Sequence, residues 1–587
     1  MGGRSDEGHD CEAPAGRAQR NPTHRKVRDE WGTRPEPCRH SPKFSFVNSV
    51  AWTILSCPSP ERTPLLLNLE VRRQYTELVI GLVGAVGSQM GSVEEALISA
   101  FKLLDYRCEQ IKLIELLHEI ERWKDLPHDR EDERIRTHMD AGDKFRELIG
   151  SCDALAVLGI GRIRHLREKA TEDQDKPRQR CAYLLRSLKH PEEVQCLREI
   201  YGRAFILIAA YSPREERVQH LANKIAESVY GATAEQCRPD AEKLVNRDQE
   251  DSAARYGQSV RSAFPLADVF IATSNKASMD RKIGSFLELL FGKVSHTPTR
   301  EEYCMFHANA AATRSAALGR QVGATIATAE GEIVAVGTNE VPKAGGGQYW
   351  EGDVPDGRDF VLGHDSSDRL KRSNLGELLE RFSKAGGWLA PDKVALSPEE
   401  RVRTALPVVK GARLMQPLEF GRAVHAEMAA IVDAAKRGVS VHDCTLYTTT
   451  FPCHECARHI IAAGLRRVVY IEPYAKSLAA HLHEDAISVD SAIEIEGMVS
   501  FDPFVGVAPR RYSELFAMSE DRKTADGSVV QWNPADSLPR LSESPALYVR
   551  SEKEALKLLN DAMKREKLKP VQSGDTNNGK GMVEADS

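Results

Sequence analysis

Two short polar motifs constrain the fold of this chain more than any other feature: His425-Ala426-Glu427 and Pro452-Cys453-His454-Glu455-Cys456. His425 precedes Cys453 by 28 residues, and Cys453 and Cys456 are three positions apart, so both thiols reach one point from a turn and the start of a helix. One imidazole and two thiolates form a donor set that binds Zn²⁺. The fold must therefore bring these two segments together.

Three protein ligands leave the fourth tetrahedral position of the ion open to water, as a catalytic site requires. Zinc lowers the pKa of that water toward about 7. Glu427, two residues from His425, is placed to move the water's proton without binding the metal. The alternatives are a closed zinc site, with His454 or His459 as fourth ligand, and a redox Cys-X-X-Cys pair, which would not need the His-X-Glu half.

Composition excludes several other classes. A chain of 587 residues exceeds a single domain of roughly 150 residues. Its 80 Lys and Arg against 86 Asp and Glu give a net charge of −6, so we expect no stable nucleic-acid complex. No apolar run approaches the roughly 18 residues of a membrane span, and the N-terminus lacks the apolar core of a signal peptide. We expect a cytoplasmic protein without membrane contact.

The N-terminal half shows alternating strand and helix signals. The apolar run LVIGLV at 78–83 precedes a glycine-rich turn and a helical pattern at 93–104, and further strand candidates lie at 204–210 and 268–273. An α/β domain is therefore predicted over 71–290. Residues 1–70, rich in Arg and Pro without a sustained period, are predicted to be a disordered extension, and whether they belong to the translated protein stays open.

The pattern restarts in a second segment, 300–515. A hairpin is predicted from 322–328 and 332–338, followed by a polar insertion at 345–410 with one helix, LGELLERFSKA. Helices and strands then alternate around both zinc motifs, which predicts a second α/β layer. Residues 516–587 are predicted to be a C-terminal segment with a disordered tail from about residue 565.

The turn after the first strand is predicted to cradle phosphate through Gly84, Gly87 and Ser88. A complete phosphate-binding motif read from Gly84 requires glycine, lysine and serine or threonine at 89–91, where this chain has Gln, Met and Gly. The missing lysine favours nucleotide binding over phosphoryl transfer. A purely structural glycine turn is the alternative.

The zinc motifs, with RSAALGRQVGATI at 314–326, GTNEVPKAGGGQYW at 337–350 and FDPFVGVAPRRY at 501–512, resemble the cytidine and deoxycytidylate deaminase superfamily. With ELVIGLVGAVGS and MDAGDKFRE in the N-terminal half, residues 71–515 resemble bacterial anti-phage dCTP deaminases. The resemblance implies an N-terminal P-loop kinase-like αβ domain followed by a cytidine-deaminase-like α/β/α domain. It also implies zinc-dependent deamination of free dCTP and/or dCMP to dUTP or dUMP plus ammonia, in defence against phage.

The resemblance further implies that Asn339 lies near substrate, where an amide both donates and accepts hydrogen bonds. A turn-forming asparagine before Pro342 is the alternative. Arg314, Ser315 and Lys343 are phosphate-contact candidates because cations and hydroxyls match phosphate oxygens, and a solvated surface role is the alternative for each. A second nucleotide at the N-terminal domain and a homo-oligomer are also expected.

Two other functions stay open at this stage. A deaminase of RNA or single-stranded DNA shares the same zinc chemistry, although the charge of −6 and the lack of a basic and aromatic platform disfavour it. A nucleotide-sensing regulatory protein is suggested by the incomplete phosphate-binding motif.

Overall fold

A computed structural model describes residues 77–571 except 251–255, 416, 418, 473–476, 492–494 and 519–520. The chain divides into two compact units, Met1–Pro64 and Leu65–Ser587, and every described residue belongs to the second. The predicted N-terminal extension, and the tail from residue 572, lie outside the described residues.

The strands form two six-stranded sheets. They are β1 (Glu77–Gly84), β2 (Arg107–Lys112), β3 (Cys181–Leu188), β4 (Phe205–Tyr211), β5 (Val269–Ala272), β6 (Gly323–Ala327), β7 (Ile333–Thr338), β8 (Thr445–Thr450), β9 (Arg467–Glu472), β10 (Ile487–Val489), β11 (Val499–Pro503) and β12 (Gly506–Val507). Both sheets are mostly parallel and covered by helices, which confirms the predicted α/β class.

The helices are α1 (Met90–Leu103), α2 (Glu131–Ile149), α3 (Ala154–Thr171), α4 (Pro191–Tyr201), α5 (Arg214–Ser228), α6 (Ala234–Glu250), α7 (Val260–Ala263), α8 (Lys276–Leu290), α9 (Arg300–Thr313), α10 (Asp359–Leu362), α11 (Ser366–Ala385), α12 (Pro391–Val394), α13 (Pro398–Val409), α14 (Ala426–Arg437), α15 (His454–Ala462), α16 (Ala479–Leu482), α17 (Pro509–Phe516) and α18 (Pro545–Arg565). None of these helices is both long enough and apolar enough to cross a bilayer.

The first sheet has the order β12-β5-β4-β1-β3-β2. All its strands are parallel except β12, which pairs antiparallel with β5. Every residue of β1 is buried, as its continuous apolar run predicts for a central parallel strand. Strands β2 and β3 are not among the strands predicted from the sequence. In β2 only Ile111 is buried, whereas β3 contains the apolar run CAYLL, which carries the same signal as β1.

The second sheet has the order β10-β11-β9-β8-β6-β7. Strands β10, β11, β9 and β8 are parallel, and β6 pairs antiparallel with both β8 and β7, which confirms the predicted hairpin. The prediction of one helix in the polar insertion is wrong. That insertion contains α10 to α13, and α11 begins at Ser366, nine residues before the predicted helix, because Asp365 caps it by accepting from the Asp368 amide.

The chain crosses from the second sheet to the first after β11, because β12 joins the edge of the first sheet beside β5. The C-terminal helix α18 also packs on the first sheet's helices, α3 and α4. Its Glu552 is fully buried and accepts hydrogen bonds from Arg167 at 2.9 and 3.0 Å. Residues 566–571, assigned to the predicted tail, continue this docking, since the Val571 amide donates to the Glu119 carbonyl at 2.8 Å.

Candidate active site and glycine-loop cleft

Both zinc motifs lie at helix N-termini. His425 caps α14 with extended backbone (φ −65°, ψ 152°), and Cys453 caps α15 in the same way (φ −71°, ψ 167°). Cys456 lies in the first turn of α15. Because the positive ends of both helix dipoles meet at this point, they favour thiolates there.

Helix α14 lies unusually close to strand β7 because Gly337 has no side chain. A Cβ atom at Gly337 would stand 2.0 Å from the Ala426 carbonyl oxygen and 2.5 Å from the Ala430 amide nitrogen. The facing side of the helix is also small, since Ala426, Ala430 and Ala434 are its buried apolar residues. Small residues at the contact between β7 and α14 thus set the distance between these two elements, and with it the position of His425 and Glu427.

The three predicted ligands converge. His425 Nδ1 lies 3.2 Å from Cys453 Sγ and 3.4 Å from Cys456 Sγ. A tetrahedral zinc ion with Zn–N of about 2.0–2.1 Å and Zn–S of about 2.3 Å separates such atoms by roughly 3.5 Å. The donor atoms therefore fit Zn²⁺. Neither His454 nor His459 belongs to this converging group among the described residues, and His459 Nδ1 instead bonds the Glu455 carbonyl at 2.7 Å.

Glu427 lies beside the ligands. It is 3% exposed, and its Oε2 accepts from Cys456 Sγ at 3.4 Å. Burial, more than any other influence, raises the pKa of its carboxyl group above the usual value, and the Cys453 charge adds to this effect. The carboxyl group therefore lies beside the three predicted ligands and is shielded from bulk water.

The two cysteines and His425 affect each other's pKa. Contact with the Cys456 thiol, more than any other influence, lowers the pKa of Cys453 below the usual thiol value, while the same contact raises the pKa of Cys456. The hydrogen bond with Cys453 raises the pKa of His425 to about 8. The lowered pKa of Cys453 favours its thiolate, which is the form that ligates a metal.

Comparison with known proteins agrees with this geometry. Residues 298–472 match the family described as the cytidine and deoxycytidylate deaminase zinc-binding region. This part of the chain is a cytidine and deoxycytidylate deaminase superfamily domain. Because the match is to that family's zinc-binding region, Zn²⁺ is the cofactor of the deaminase domain.

Individual relatives match over short stretches. ComE operon protein 2 of Bacillus subtilis is 37% identical over 79 residues, 13% of this chain and 42% of the relative. The deoxycytidylate deaminase of Enterobacteria phage T2 is 43% identical over 54 residues, 9% of this chain and 29% of the relative. The probable deoxycytidylate deaminase of Caenorhabditis elegans is 47% identical over 49 residues, 8% of this chain and 24% of the relative. The chain therefore matches less than half the length of each of these relatives.

A solved structure of the dCMP deaminase from cyanophage S-TIM5, in complex with dCMP and dUMP, is 17% identical with a TM-score of 0.20. The alignment covers 36% of this chain and all of that one.

Asn339 follows β7 in the deaminase domain and lies one residue from the pairing of Glu340 with Val424, which adjoins His425. Its side-chain oxygen accepts from the Val322 amide at 2.7 Å, and its amide nitrogen donates to the Arg320 carbonyl at 2.6 Å. The asparagine therefore stands near the metal ligands, with its amide group holding the 320–322 segment.

Of the other predicted substrate contacts, Arg314 and Lys343 contact the 348–353 segment, whereas Ser315 Oγ donates to the Asn339 carbonyl at 2.7 Å. Arg314 donates to the Tyr349 carbonyl at 3.0 Å, and its guanidinium lies 3.6 Å from the centre of the Trp350 ring. Lys343 is exposed and forms an ion pair with Asp353 at 2.8 Å. Both cations are thus engaged with the start of the polar insertion.

Two further residues that organise this region have no signal in the sequence. Glu340 is 2% exposed, and its carboxylate accepts from the Ala316 and Val341 amides at 2.8 Å each. Arg422 donates to Asp359 at 2.7 Å and so ties the polar insertion to the segment before His425. Only the tertiary structure brings these partners together.

The predicted glycine loop connects β1 to α1 and borders a cleft with a volume of about 190 Å³. Gly87 has φ +85°, and a Cβ there would stand 2.5 Å from the Arg217 carbonyl, so glycine is required. The Val86 amide donates to the Asp248 carboxylate at 2.8 Å, and the Ser88 amide donates to the Ala85 carbonyl at 3.0 Å. These two amides are therefore engaged within the protein.

Side chains around the cleft offer polar groups for a ligand that these two loop amides do not offer. Ser88 Oγ and Gln258 Oε1 line the cleft, and both atoms are buried without a hydrogen-bond partner among the described residues. Lys189, at the end of β3, donates to the Gly84 carbonyl at 3.2 Å and to Asp248 at 3.1 Å. A lysine from a neighbouring strand thus stands beside the loop that lacks its own.

Proposed function

We propose that the protein is a zinc-dependent hydrolase that deaminates a free cytosine deoxynucleotide, dCTP and/or dCMP, to dUTP or dUMP and ammonia. The observation that carries the proposal is the convergence of His425, Cys453 and Cys456 beside the buried carboxyl group of Glu427. A redox role for the cysteine pair would require neither the His425 imidazole nor the Glu427 carboxyl group.

In this proposal His425, Cys453 and Cys456 hold Zn²⁺. The bound ion supplies Lewis acidity that lowers the pKa of water. Glu427 moves one proton of the attacking water to the ring nitrogen and then moves the second proton of that water to the amino group, which leaves as ammonia. A C4–O bond forms, the C4–N bond breaks, and ammonia leaves, so the reaction needs no further reactant.

A free nucleotide suits the chain better than a polymer. The net charge is −6, and the two cations predicted to contact phosphate, Arg314 and Lys343, are engaged with the polar insertion. The deoxycytidylate deaminases among the relatives support a deoxynucleotide substrate. We further propose, from the resemblance of residues 71–515, a cytoplasmic homo-oligomer that depletes cytosine deoxynucleotides during phage infection.

The test is ammonia and uracil-product release from CMP, dCMP, CTP and dCTP, with single-stranded DNA and RNA as competing substrates. Glu427→Gln removes the proton-transfer group, so kcat should fall by about 10²- to 10⁴-fold. Glu330→Gln, at the exposed turn between β6 and β7, is the matched control and should keep wild-type activity. Deamination of a polynucleotide but of no free nucleotide would refute the assigned substrate class.

We propose a second function for the glycine-loop cleft, which is binding of a nucleotide through its phosphates by a P-loop-like domain. Cations that line the cleft, including Arg134, Arg186, Lys189 and Lys224, supply charge, and Ser88 and Gln258 supply unpaired polar atoms. Charge-assisted hydrogen bonds of this kind contribute about 1.5–3 kcal/mol each.

Calorimetric titration with ATP and the four dNTPs tests this second function. Lys189→Met should weaken binding by about 10- to 100-fold, following the free energy of one charge-assisted bond. Ser88→Ala should weaken binding without removing a charge. Lys144→Met, which lies on α2 and pairs with Glu147 in solvent, is the matched control. Equal affinities in all four proteins, or no binding to wild type, would rule out the nucleotide site.

A further inference from the structure

Three histidines outside the deaminase domain converge near the glycine-loop cleft. His118 lies in the 3-10 helix Leu113–Glu119, His128 in the loop before α2, and His138 within α2. One ring nitrogen of each lies within 4.8 Å of the other two. His138 is buried and His128 is exposed. None of the three is predicted from the sequence to have a functional role.

The hydrogen bonds of two of these rings define their tautomers. His138 Nδ1 lies 2.7 Å from the Arg134 carbonyl oxygen, and His118 Nδ1 lies 3.3 Å from the Lys124 carbonyl oxygen. Because a carbonyl oxygen only accepts, we assign the hydrogen to Nδ1 in both rings. Their Nε2 atoms then carry lone pairs, and these two atoms face each other at 3.0 Å.

Two lone pairs at that distance repel unless a cation lies between or beside them. A shared proton can bridge only two of the nitrogens, whereas a metal ion can bind all three. The third ring, His128, is close enough to take part, since it stacks on His118 with ring centroids 4.7 Å apart. Nitrogens bound to one tetrahedral zinc ion at about 2.0–2.1 Å lie roughly 3.3–3.4 Å apart. The His118–His138 distance is already close to that value, and exposed His128 has room to adjust.

The surroundings match those of metal-binding histidines. Such histidines donate their other ring nitrogen to a carbonyl or carboxylate, which fixes the ring and its tautomer. His118 and His138 both do so. Neutral imidazoles suit Zn²⁺ and other late first-row divalent ions, rather than Mg²⁺ or Ca²⁺.

We propose that His118, His128 and His138 bind a second zinc ion, separate from the one in the deaminase domain. The ion ties the 3-10 helix and the following loop to α2. Helix α2 supplies Arg134, His138 and Arg146 to one wall of the glycine-loop cleft. The second ion therefore holds that wall in position, whether or not the deaminase domain turns over cytosine nucleotides.

Metal analysis of the full-length protein, stripped with a chelator and refilled with Zn²⁺, tests the proposal. Wild type should hold two ions per chain. His128→Ala should hold one ion with its fold unchanged, because this side chain is exposed. Cys456→Ser should also hold one ion, and the double variant should hold none. His442→Ala, an exposed histidine before β8, is the matched control and should hold two.

A thermal measurement separates the two sites. In the Cys456→Ser background, adding Zn²⁺ to metal-free protein should raise Tm, and the additional change His128→Ala should remove that rise. His118→Ala provides an independent variant with the same expected result. One ion in the wild type, or an unchanged ion count in His128→Ala, overturns the second site. Two ions retained by Cys456→Ser would instead contradict the proposed zinc ligands of the deaminase domain.

Discussion

Gly337→Ala should disable the deaminase site without touching a ligand. The added methyl carbon would stand 2.0 Å from the Ala426 carbonyl oxygen, where ordinary contact begins at 3.4 Å. Helix α14, or strand β7 beneath it, must therefore move by about 1.4 Å, the difference between these distances. His425 and Glu427 lie at the displaced end of that helix.

A displacement of this size should lower the catalytic rate strongly. Moving a catalytic group by about 1 Å costs on the order of 10²-fold in rate. We therefore expect kcat/KM for dCMP or dCTP to fall by about 10²-fold or more in Gly337→Ala. Zinc content should also fall, because His425 moves away from the two cysteines. Ammonia release under saturating Zn²⁺, with metal analysis of the same sample, measures both effects.

Two other glycines of the same domain provide controls. A Cβ at Gly319 meets nothing within 4 Å, so Gly319→Ala should leave activity unchanged. A Cβ at Gly323 would stand 1.9 Å from the Ala308 carbonyl of α9, a helix that carries no zinc ligand. Gly323→Ala should therefore lower stability more than it lowers zinc content. Wild-type kcat/KM in Gly337→Ala would refute the argument that this glycine sets the position of α14.

Three further outcomes are expected. Glu552→Gln leaves the buried Arg167 guanidinium without one of its carboxylates and should destabilise the protein by about 3–5 kcal/mol in urea unfolding, whereas exposed Glu554→Gln should change it by less than about 0.5 kcal/mol. Burial raises the pKa of Asp490, so the folded state favours the protonated carboxyl group. The contribution of this group to the stability of the fold is therefore complete below the unfolded pKa of about 3.9, and it is lost as pH rises through the raised folded pKa. The Tm of Asp490→Asn minus the Tm of wild type should therefore increase with pH. Chelation should abolish deamination, and added Zn²⁺ should restore it; metal-independent turnover would exclude zinc catalysis.

Several features follow directly from local sequence. The run LVIGLV predicts β1 because an unbroken apolar segment of that length, followed at once by a glycine-rich turn, is typical of a strand covered on both faces. The spacing of His425, Cys453 and Cys456 predicts a shared metal, because donor type and separation restrict the chemistry. The insertion is predicted less well. Its helices α10 to α13 bury few side chains, so they lack the apolar period that marks a core-facing helix.

Contacts between residues that are distant along the chain could not be predicted from the sequence. Nothing local indicates that Lys189 stands beside a glycine loop more than a hundred positions earlier, or that β12 leaves one sheet to join another. His118, His128 and His138 are spaced like ordinary surface histidines, and only the packing of α2 against the 3-10 helix brings their nitrogens together.

The sequence by itself determined which apolar runs become central strands, and it predicted which side chains hold the zinc ion of the deaminase domain and which carboxyl group moves a proton. These properties belong to residue type and short spacing, which the chain carries in any conformation. The tertiary structure decided the distances between them, the burial of Glu427 and the convergence of three distant histidines. Those quantities depend on which surfaces pack against each other, and packing is a property of the whole folded chain.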